Sequence, residues 1–442
     1  MSTLKLPPKG MTREALLVAL REAGRGDADW RNSKTWSMVF YAGDDVLDIL
    51  KEAYLMFFSE NGLNPMAFPS LKKFENEVVA MAAELLGGGP ETLGCMTSGG
   101  TESILMAVKS ARDLARAKKP HIRKPEMVLP MSAHPAFEKA AHYLDLEAVH
   151  IPLTSDLRAD VKAARKAVTE NTVLMVGSAP SYPYGTIDSI RELASIALEN
   201  EICFHVDACI GGFQLPFLKK MGRSIPDFDF KTPGVTSISA DIHKYGYGPK
   251  GASVILYRDE NIRKRQFFIY ADWPGGIYAS PSMAGTRPGG AIAAAWAVMN
   301  YLGEEGYLRL ADINMKTTRK LMDGINSIPG LKILGKPDMS VFAFDSEKVN
   351  VYSLGEAMSA RGWYLNHLQM PPALHMMVTP MHSRIVEPFL QDLATSAREL
   401  ESKGEAAPEG MAAMYGMLGA IPDRKAAREM VTAYIGDLFK YK

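Results

Sequence analysis

From about residue 95 the chain alternates short apolar runs with longer helical stretches. The runs are Met127–Leu129, Val149–Pro152, Val173–Gly177, Ile202–Val206, Thr236–Ser239 and Ser253–Leu256. Helical stretches fill most of the gaps, at Ser103–Ala117, Ala136–Tyr143, Ala159–Val168 and Ile190–Glu199. Apolar runs this short, each leading into a helix, predict a mostly parallel sheet covered on both faces. That prediction also says where chemistry belongs, because open α/β sheets bind ligands at the carboxyl ends of their strands.

The rhythm changes on either side of this region. After a long helix near Ala291–Leu302, the runs Leu331–Leu334, Val341–Phe344, Trp363–Asn366 and His375–Val378 predict a smaller sheet. Helices are expected after Ser353 and after Glu387, and Ser353 with Glu356 has capping-box spacing. Upstream, Thr12 suits the cap of a helix whose Leu16, Leu17 and Leu20 share a face. An aromatic segment follows (Trp30, Trp36, Phe40, Tyr41), then helices over Asp45–Phe58 and Leu71–Leu86. The 442 residues therefore divide into an N-terminal helical segment, 1–60, a large α/β domain, 61–325, and a small C-terminal α+β domain, 326–442.

Composition excludes several function classes. Lys plus Arg and Asp plus Glu are 50 each, so no basic excess suggests nucleic acid as a partner. The three cysteines, Cys95, Cys203 and Cys209, make neither a disulfide framework nor a zinc-ligand pair, which fits a reducing compartment and no metal. Residues 1–10 lack the apolar core of a signal peptide. The apolar, uncharged stretch Pro288–Gly303 is shorter than the ~20 residues a membrane span needs and includes Asn300. The expectation is a cytoplasmic or otherwise soluble protein without a signal peptide or transmembrane segment.

Lys244 carries the chemistry. It follows His243 just beyond the apolar run Val235–Ala240, within Ser-Ala-Asp-Ile-His-Lys-Tyr-Gly-Tyr-Gly-Pro-Lys-Gly, residues 239–251. An amine there suits a Schiff base with pyridoxal 5'-phosphate, whose ring is an electron sink. Ser98-Gly99-Gly100-Thr101 precedes a helix and suits a phosphate cup built from free helix amides. Asp207 ends an apolar strand, where it is either the partner of a protonated pyridine nitrogen or a helix cap. His134, also after a strand, is either a ring-stacking, proton-transferring imidazole or a plain helix-start histidine. His243 is placed to donate to a phosphate, whereas His205 inside its strand reads as a satisfied core histidine. Lys250 and Arg287 are further cations, and Thr286-Arg287-Pro288-Gly289-Gly290 reads as a second anion-receptive turn. On residue type alone Lys250 is an ordinary solvated lysine.

Longer stretches sharpen this reading. Residues 94–106 (Gly-Cys-Met-Thr-Ser-Gly-Gly-Thr-Glu-Ser-Ile-Leu-Met), 206–213, 236–247, 275–281 and 287–290 closely resemble the sphingosine-1-phosphate lyase family, over roughly residues 35–440. The resemblance implies a fold of the aspartate-aminotransferase type (fold type I) and a homodimer with active sites at its interface. It also implies cleavage of a phosphorylated long-chain amino alcohol to phosphoethanolamine and a fatty aldehyde. By this resemblance Lys244 is the Schiff-base lysine, Asp207 the ring-nitrogen partner and His134 the stacking residue. Gly100, Thr101 and His243 hold the cofactor phosphate. Tyr41, Lys250 and Thr286 bind or face the substrate phosphate, and Tyr415 lies near the site. One departure is Asn64, in Asn61-Gly62-Leu63-Asn64-Pro65, where the family often has a histidine; asparagine donates hydrogen bonds but carries no charge. The competing activity on the same fold is amino acid decarboxylation, with Arg287 as the cation for the substrate carboxylate.

Overall fold

The computed structural model describes residues 5–403, 421 and 423–440. Seven strands form the main sheet: β1 (Leu93–Thr97), β2 (Glu126–Pro130), β3 (Glu147–Ile151), β4 (Thr172–Ser178), β5 (Cys203–Asp207), β6 (Ser237–Ala240) and β7 (Ser253–Tyr257). Their order is β1-β7-β6-β5-β4-β2-β3, with β7 alone running against the rest. Helices cover both faces, so β4, β5, β6 and β7 are buried along their whole length. This is the mostly parallel, doubly covered sheet that the apolar runs predict.

β1 is a strand that the apolar pattern does not announce. Gly94 interrupts its run, yet the glycine is what lets it pair. A Cβ at Gly94 would lie 2.2 Å from the carbonyl oxygen of Ile255 on β7, the close backbone approach that a glycine inside a strand often marks. A hairpin, β8 (Phe268–Trp273) and β9 (Gly276–Ser280), also stands outside the predicted pattern. Ile269, Tyr270, Trp273 and Ile277 project from it into solvent.

The small sheet is antiparallel: β10 (Leu331–Ile333), β11 (Val341–Ser346), β12 (Asn366–Gln369) and β13 (Pro372–Met377), in the order β10-β11-β13-β12. Two of its predicted details shift. β12 begins at Asn366 rather than Trp363, because Trp363 packs against Trp36 and Phe389 in the small core while pairing starts at Asn366 opposite His375. The helix expected after Ser353 is Val351–Ala360, capped by Asn350, whose side chain accepts from the amides of Tyr352 and Ser353. Ser353 therefore lies inside the first turn. The long helix runs on through Gly289–Ser327, bending at Gly303, where φ is +54°.

The N-terminal segment ties the two sheets together. Thr12 caps the helix Arg13–Ala23, as its spacing predicts, although Leu16 and Leu20 face solvent. Trp36 is wholly buried in the small core, stacked on His382 at 4.3 Å. Phe40 meets the ring of Tyr245 edge-on at 4.9 Å. Tyr245 in turn reaches the carbonyls of Ser340 and Val378 at 3.1 Å each. The turn that carries Lys244 is thereby clamped between the large and small sheets.

Three imidazoles, His205, His375 and His382, are fully buried, and burial pushes each down to about 4. Unfolded, each would titrate near 6.5. Their neutral burial contributes full stability above that pH, and the contribution is lost as pH falls toward 4. The thermal midpoint is expected to drop steeply between about pH 6.5 and 4.5. Thermal unfolding followed by circular dichroism checks this, and a flat midpoint over that interval would contradict it.

Candidate active site

The predicted residues converge at the carboxyl edge of the main sheet. Asp207 is the last residue of β5, Lys244 sits in the turn after β6, and His134 follows β2. Ser98 and Gly99 link β1 to the helix Gly100–Lys118. Together with Thr101, His243 and Lys250, they line one cavity of about 370 Å³.

Lys244 Nζ lies 3.0 Å from Asp241 Oδ2. Burial alone would lower the amine's pKa, but Asp241 outweighs it and the net shift is upward. Asp241 is itself 2 % exposed and accepts from Ser253 Oγ at 2.6 Å. Burial opposes its charge, yet Lys244 and His243 hold its carboxyl below the usual range. In the free protein the amine is thus kept protonated by a partner three residues back. Asp241 lies within the 239–251 motif, and its position three residues before the lysine is the signal the sequence offers for this role.

Asp207 Oδ1 accepts from the Cys209 amide at 3.0 Å and from Ser239 Oγ at 3.4 Å. His134 Nδ1 accepts from the Ala136 amide at 3.2 Å, which leaves its proton on Nε2. Burial keeps this ring below its ordinary pKa in spite of Asp207. His243 is anchored through Nδ1 to the carbonyl of Ala252 at 2.9 Å, and burial lowers it too.

The cup is held from behind by Glu102, another residue that sequence reasoning left without a role. One of its oxygens accepts from the Ser98 amide at 2.6 Å and the other from the Met283 amide at 2.8 Å. A Cβ on Gly100 would stand 2.8 Å from both Asp241 Oδ2 and Cys209 Sγ, so any larger residue would push these two side chains aside. The first amides of a helix have no acceptor of their own and favour an anion. An amine for an aldehyde, a strand-end carboxylate for a ring nitrogen, an imidazole for a ring face and a helix start for a phosphate are the donor set that pyridoxal phosphate requires.

The residues expected at the substrate phosphate fall into separate places. Lys250 lines the polar cavity and also an adjoining apolar one of about 520 Å³, with Phe40, Tyr41, Val46, Leu47 and Leu50 on its walls. Burial, then Lys244, lowers the pKa of Lys250, and its ammonium lies 5.7 Å from the Phe40 ring. Lys250 is exposed, yet it stands on the edge of both cavities. Tyr41 donates to Asp44 Oδ1 at 2.6 Å. Asn64 lies elsewhere, on a third cavity, where its side chain accepts from the amides of Met66 and Ala67. Thr286 is exposed and lines none of these cavities. Tyr415 lies outside the described residues.

Arg287 corrects one expectation. Its guanidinium binds both oxygens of Glu75, at 2.5 and 2.9 Å, and the carbonyl of Gly62. The turn at 286–290 is therefore not an open anion site, because a half-buried carboxylate already engages its arginine. His205 bonds Ser237 and Ser239 within the core, as its strand position suggests. All three cysteines are buried free thiols.

Comparison with known proteins agrees with this geometry. Residues 29–347 match the pyridoxal-dependent decarboxylase conserved domain. The chain is 44% identical to sphingosine-1-phosphate lyase 1 of Rattus norvegicus, over 98% of this chain and 77% of that protein. It superposes on the structure of a Burkholderia pseudomallei sphingosine-1-phosphate lyase with a TM-score of 0.90 at 39% identity, covering 100% of this chain and 98% of the other. A probable L-tyrosine/L-aspartate decarboxylase of Methanothermobacter thermautotrophicus is 36% identical over 78% of this chain and 93% of its own length. With a type I pyridoxal phosphate fold, a fitting site and near-full-length similarity, the chain belongs to the sphingosine-1-phosphate lyases within the pyridoxal-dependent decarboxylase family.

Proposed function

We propose that this chain cleaves the C2–C3 bond of sphingosine 1-phosphate or a related phosphorylated sphingoid base, releasing phosphoethanolamine and a long-chain aldehyde. The carrying observation is that His243 and Lys250 form a wall common to the polar cavity and the apolar one. A molecule with a charged head and a hydrocarbon tail suits that pair of compartments; a small amino acid has no use for the second.

Pyridoxal phosphate, when bound through Lys244, supplies the electron sink that the bond cleavage needs. Asp207 would partner the ring nitrogen and favour its protonated form, and His134 would cover a ring face. Because Nδ1 of His134 already accepts from Ala136, its Nε2–H can donate a hydrogen bond but cannot take a proton. Lys244 Nζ is then the group suited to remove the C3 hydroxyl proton and to return one to C2. Lys250 suits the substrate phosphate as a point charge, with Tyr41 beside it.

A second copy of the chain completes this reading. Asn64 and Thr286 stand away from this chain's own cavity, and the β8–β9 hairpin, whose Ile269 and Ile277 share a third cavity with Asn64, also exposes Tyr270 and Trp273. Both facts support a homodimer in which these residues reach the partner's site. Among the described residues, no helix is long and apolar enough to cross a membrane. Amino acid decarboxylation is disfavoured by Arg287, whose charge Glu75 already engages.

Product analysis of the loaded enzyme by mass spectrometry tests the proposal. Phosphoethanolamine and a long-chain aldehyde are expected from a phosphorylated sphingoid base, with no carbon dioxide from an amino acid panel. Decarboxylation without aldehyde release would overturn it.

A further inference from the structure

His205 has no role in the mechanism above, yet its hydrogen bonds point toward the site. The ring is fully buried on β5, with the Phe137 ring edge-on at 5.8 Å. Its Nδ1 lies 2.9 Å from Ser237 Oγ and its Nε2 3.1 Å from Ser239 Oγ, both on the neighbouring strand β6. Ser239 Oγ lies 3.4 Å from Asp207 Oδ1 and 3.3 Å from Cys209 Sγ.

The direction of these bonds is set by counting protons. A buried hydroxyl needs an acceptor for its single proton. For Ser237 that acceptor is His205 Nδ1. A neutral imidazole that accepts at Nδ1 carries its proton on Nε2, which must therefore donate to Ser239 Oγ. Ser239 already receives from His205, and from the Cys209 thiol as well. Its own proton is left for Asp207, a carboxylate that can only accept. Were His205 to hold its proton on Nδ1 instead, Ser239 would turn toward Nε2, and Asp207 would keep only the Cys209 amide.

We propose that His205 is a positioning residue: with Ser237 and Ser239 it forms a one-way donor chain that ends on Asp207 and keeps that carboxylate aimed at the cofactor ring. The proposal rests on the reading of Asp207 as the ring-nitrogen partner. Ser237 is the informative site, because it touches neither Asp207 nor the cofactor cavity and sets only the tautomer of His205.

The test uses pyridoxal phosphate itself. The visible band of the lysine-bound cofactor is titrated with pH, and the cofactor dissociation constant is measured, in the wild type and in Ser237→Ala, Ser239→Ala, His205→Leu, His205→Gln and Asp207→Asn. A hydrogen bond to a charged group is worth enough to shift binding about tenfold. Ser237→Ala, Ser239→Ala and His205→Leu are expected to weaken the cofactor by about that factor and to move the midpoint of the band. His205→Gln, which retains a donor near Nε2, is expected to restore most of both. If Asp207→Asn shifts the midpoint while Ser237→Ala and His205→Leu do not, the chain of donors is wrong, whatever their melting temperatures. If Asp207→Asn itself shifts nothing, the assignment of Asp207 falls and the proposal with it. Neither readout uses the lipid substrate, so failure here is distinct from failure of the proposed reaction.

Discussion

Lys244→Ala is expected to lose turnover by on the order of 10⁴-fold or more, together with the visible band of lysine-bound pyridoxal phosphate. The same substitution leaves Asp241 as a buried carboxylate without its partner, 3.0 Å from where the amine was. Breaking such a pair costs about 3–5 kcal/mol, so loss of activity alone does not distinguish a dead variant from a misfolded one. Lys244→Arg separates the two effects, since a guanidinium preserves the ion pair but cannot form the Schiff base. A folded Lys244→Arg enzyme that turns over substrate at the wild-type rate would remove Lys244 from the mechanism. The pair also predicts how the cofactor loads. Only the neutral amine attacks an aldehyde, and Asp241 holds Lys244 protonated. Loading of the stripped wild type is expected to accelerate as pH rises. In Asp241→Asn the same acceleration should occur at lower pH, because the charge that raised the amine is gone. Absorbance after mixing with pyridoxal phosphate records both profiles, and coincident profiles would contradict the role of Asp241.

The parts of this site that were legible in the sequence are those whose position follows from strand periodicity. Asp207, His134 and Lys244 lie on or just past apolar runs, so a parallel sheet brings them to one edge. Gly100 was legible because a glycine pair precedes a helix. Asp241 and Glu102 stood in the same motifs, but their importance comes from burial and from amides contributed by distant segments, such as Met283 for Glu102. No local pattern encodes those. Arg287 was misread for a related reason: its partner Glu75 sits on another helix, far back in the chain. The fold divides in the same way. β4 and β5 announce themselves by their apolar runs, whereas Gly94 hides β1, whose pairing only the neighbouring backbone explains. The small sheet was visible as a set of runs, but a run ending in a core tryptophan, Trp363, looks like a strand until its packing partners are known.

Glu75→Gln is expected to destabilise the folded protein by about 3 kcal/mol, because it leaves Arg287 charged and unpaired. Arg287 is 12% exposed and Glu75 14%, so solvent offers little compensation. Met96 also depends on Glu75, through an amide bond of 3.0 Å to the same carboxylate. Gln can still accept from that amide, which confines the loss mainly to the charge. Thermal unfolding of the cofactor-loaded enzyme measures the effect, and an unchanged midpoint would show that the pair contributes nothing net. The pair has a second consequence, through the loops it joins. Arg287 bonds the carbonyl of Gly62, and the Gly62 amide donates to the carbonyl of Arg287 at 2.8 Å. The loop bearing Asn64 is thereby clipped to the turn bearing Thr286, the two segments proposed to reach a partner's substrate phosphate. Loosening the clip should raise KM for the phosphorylated substrate by about tenfold while kcat falls little, since uniform binding is lost and the reacting groups are untouched. A stability loss with an unchanged KM would mean that neither loop meets the substrate, and would leave Lys250 and Tyr41 to hold the phosphate from within one chain.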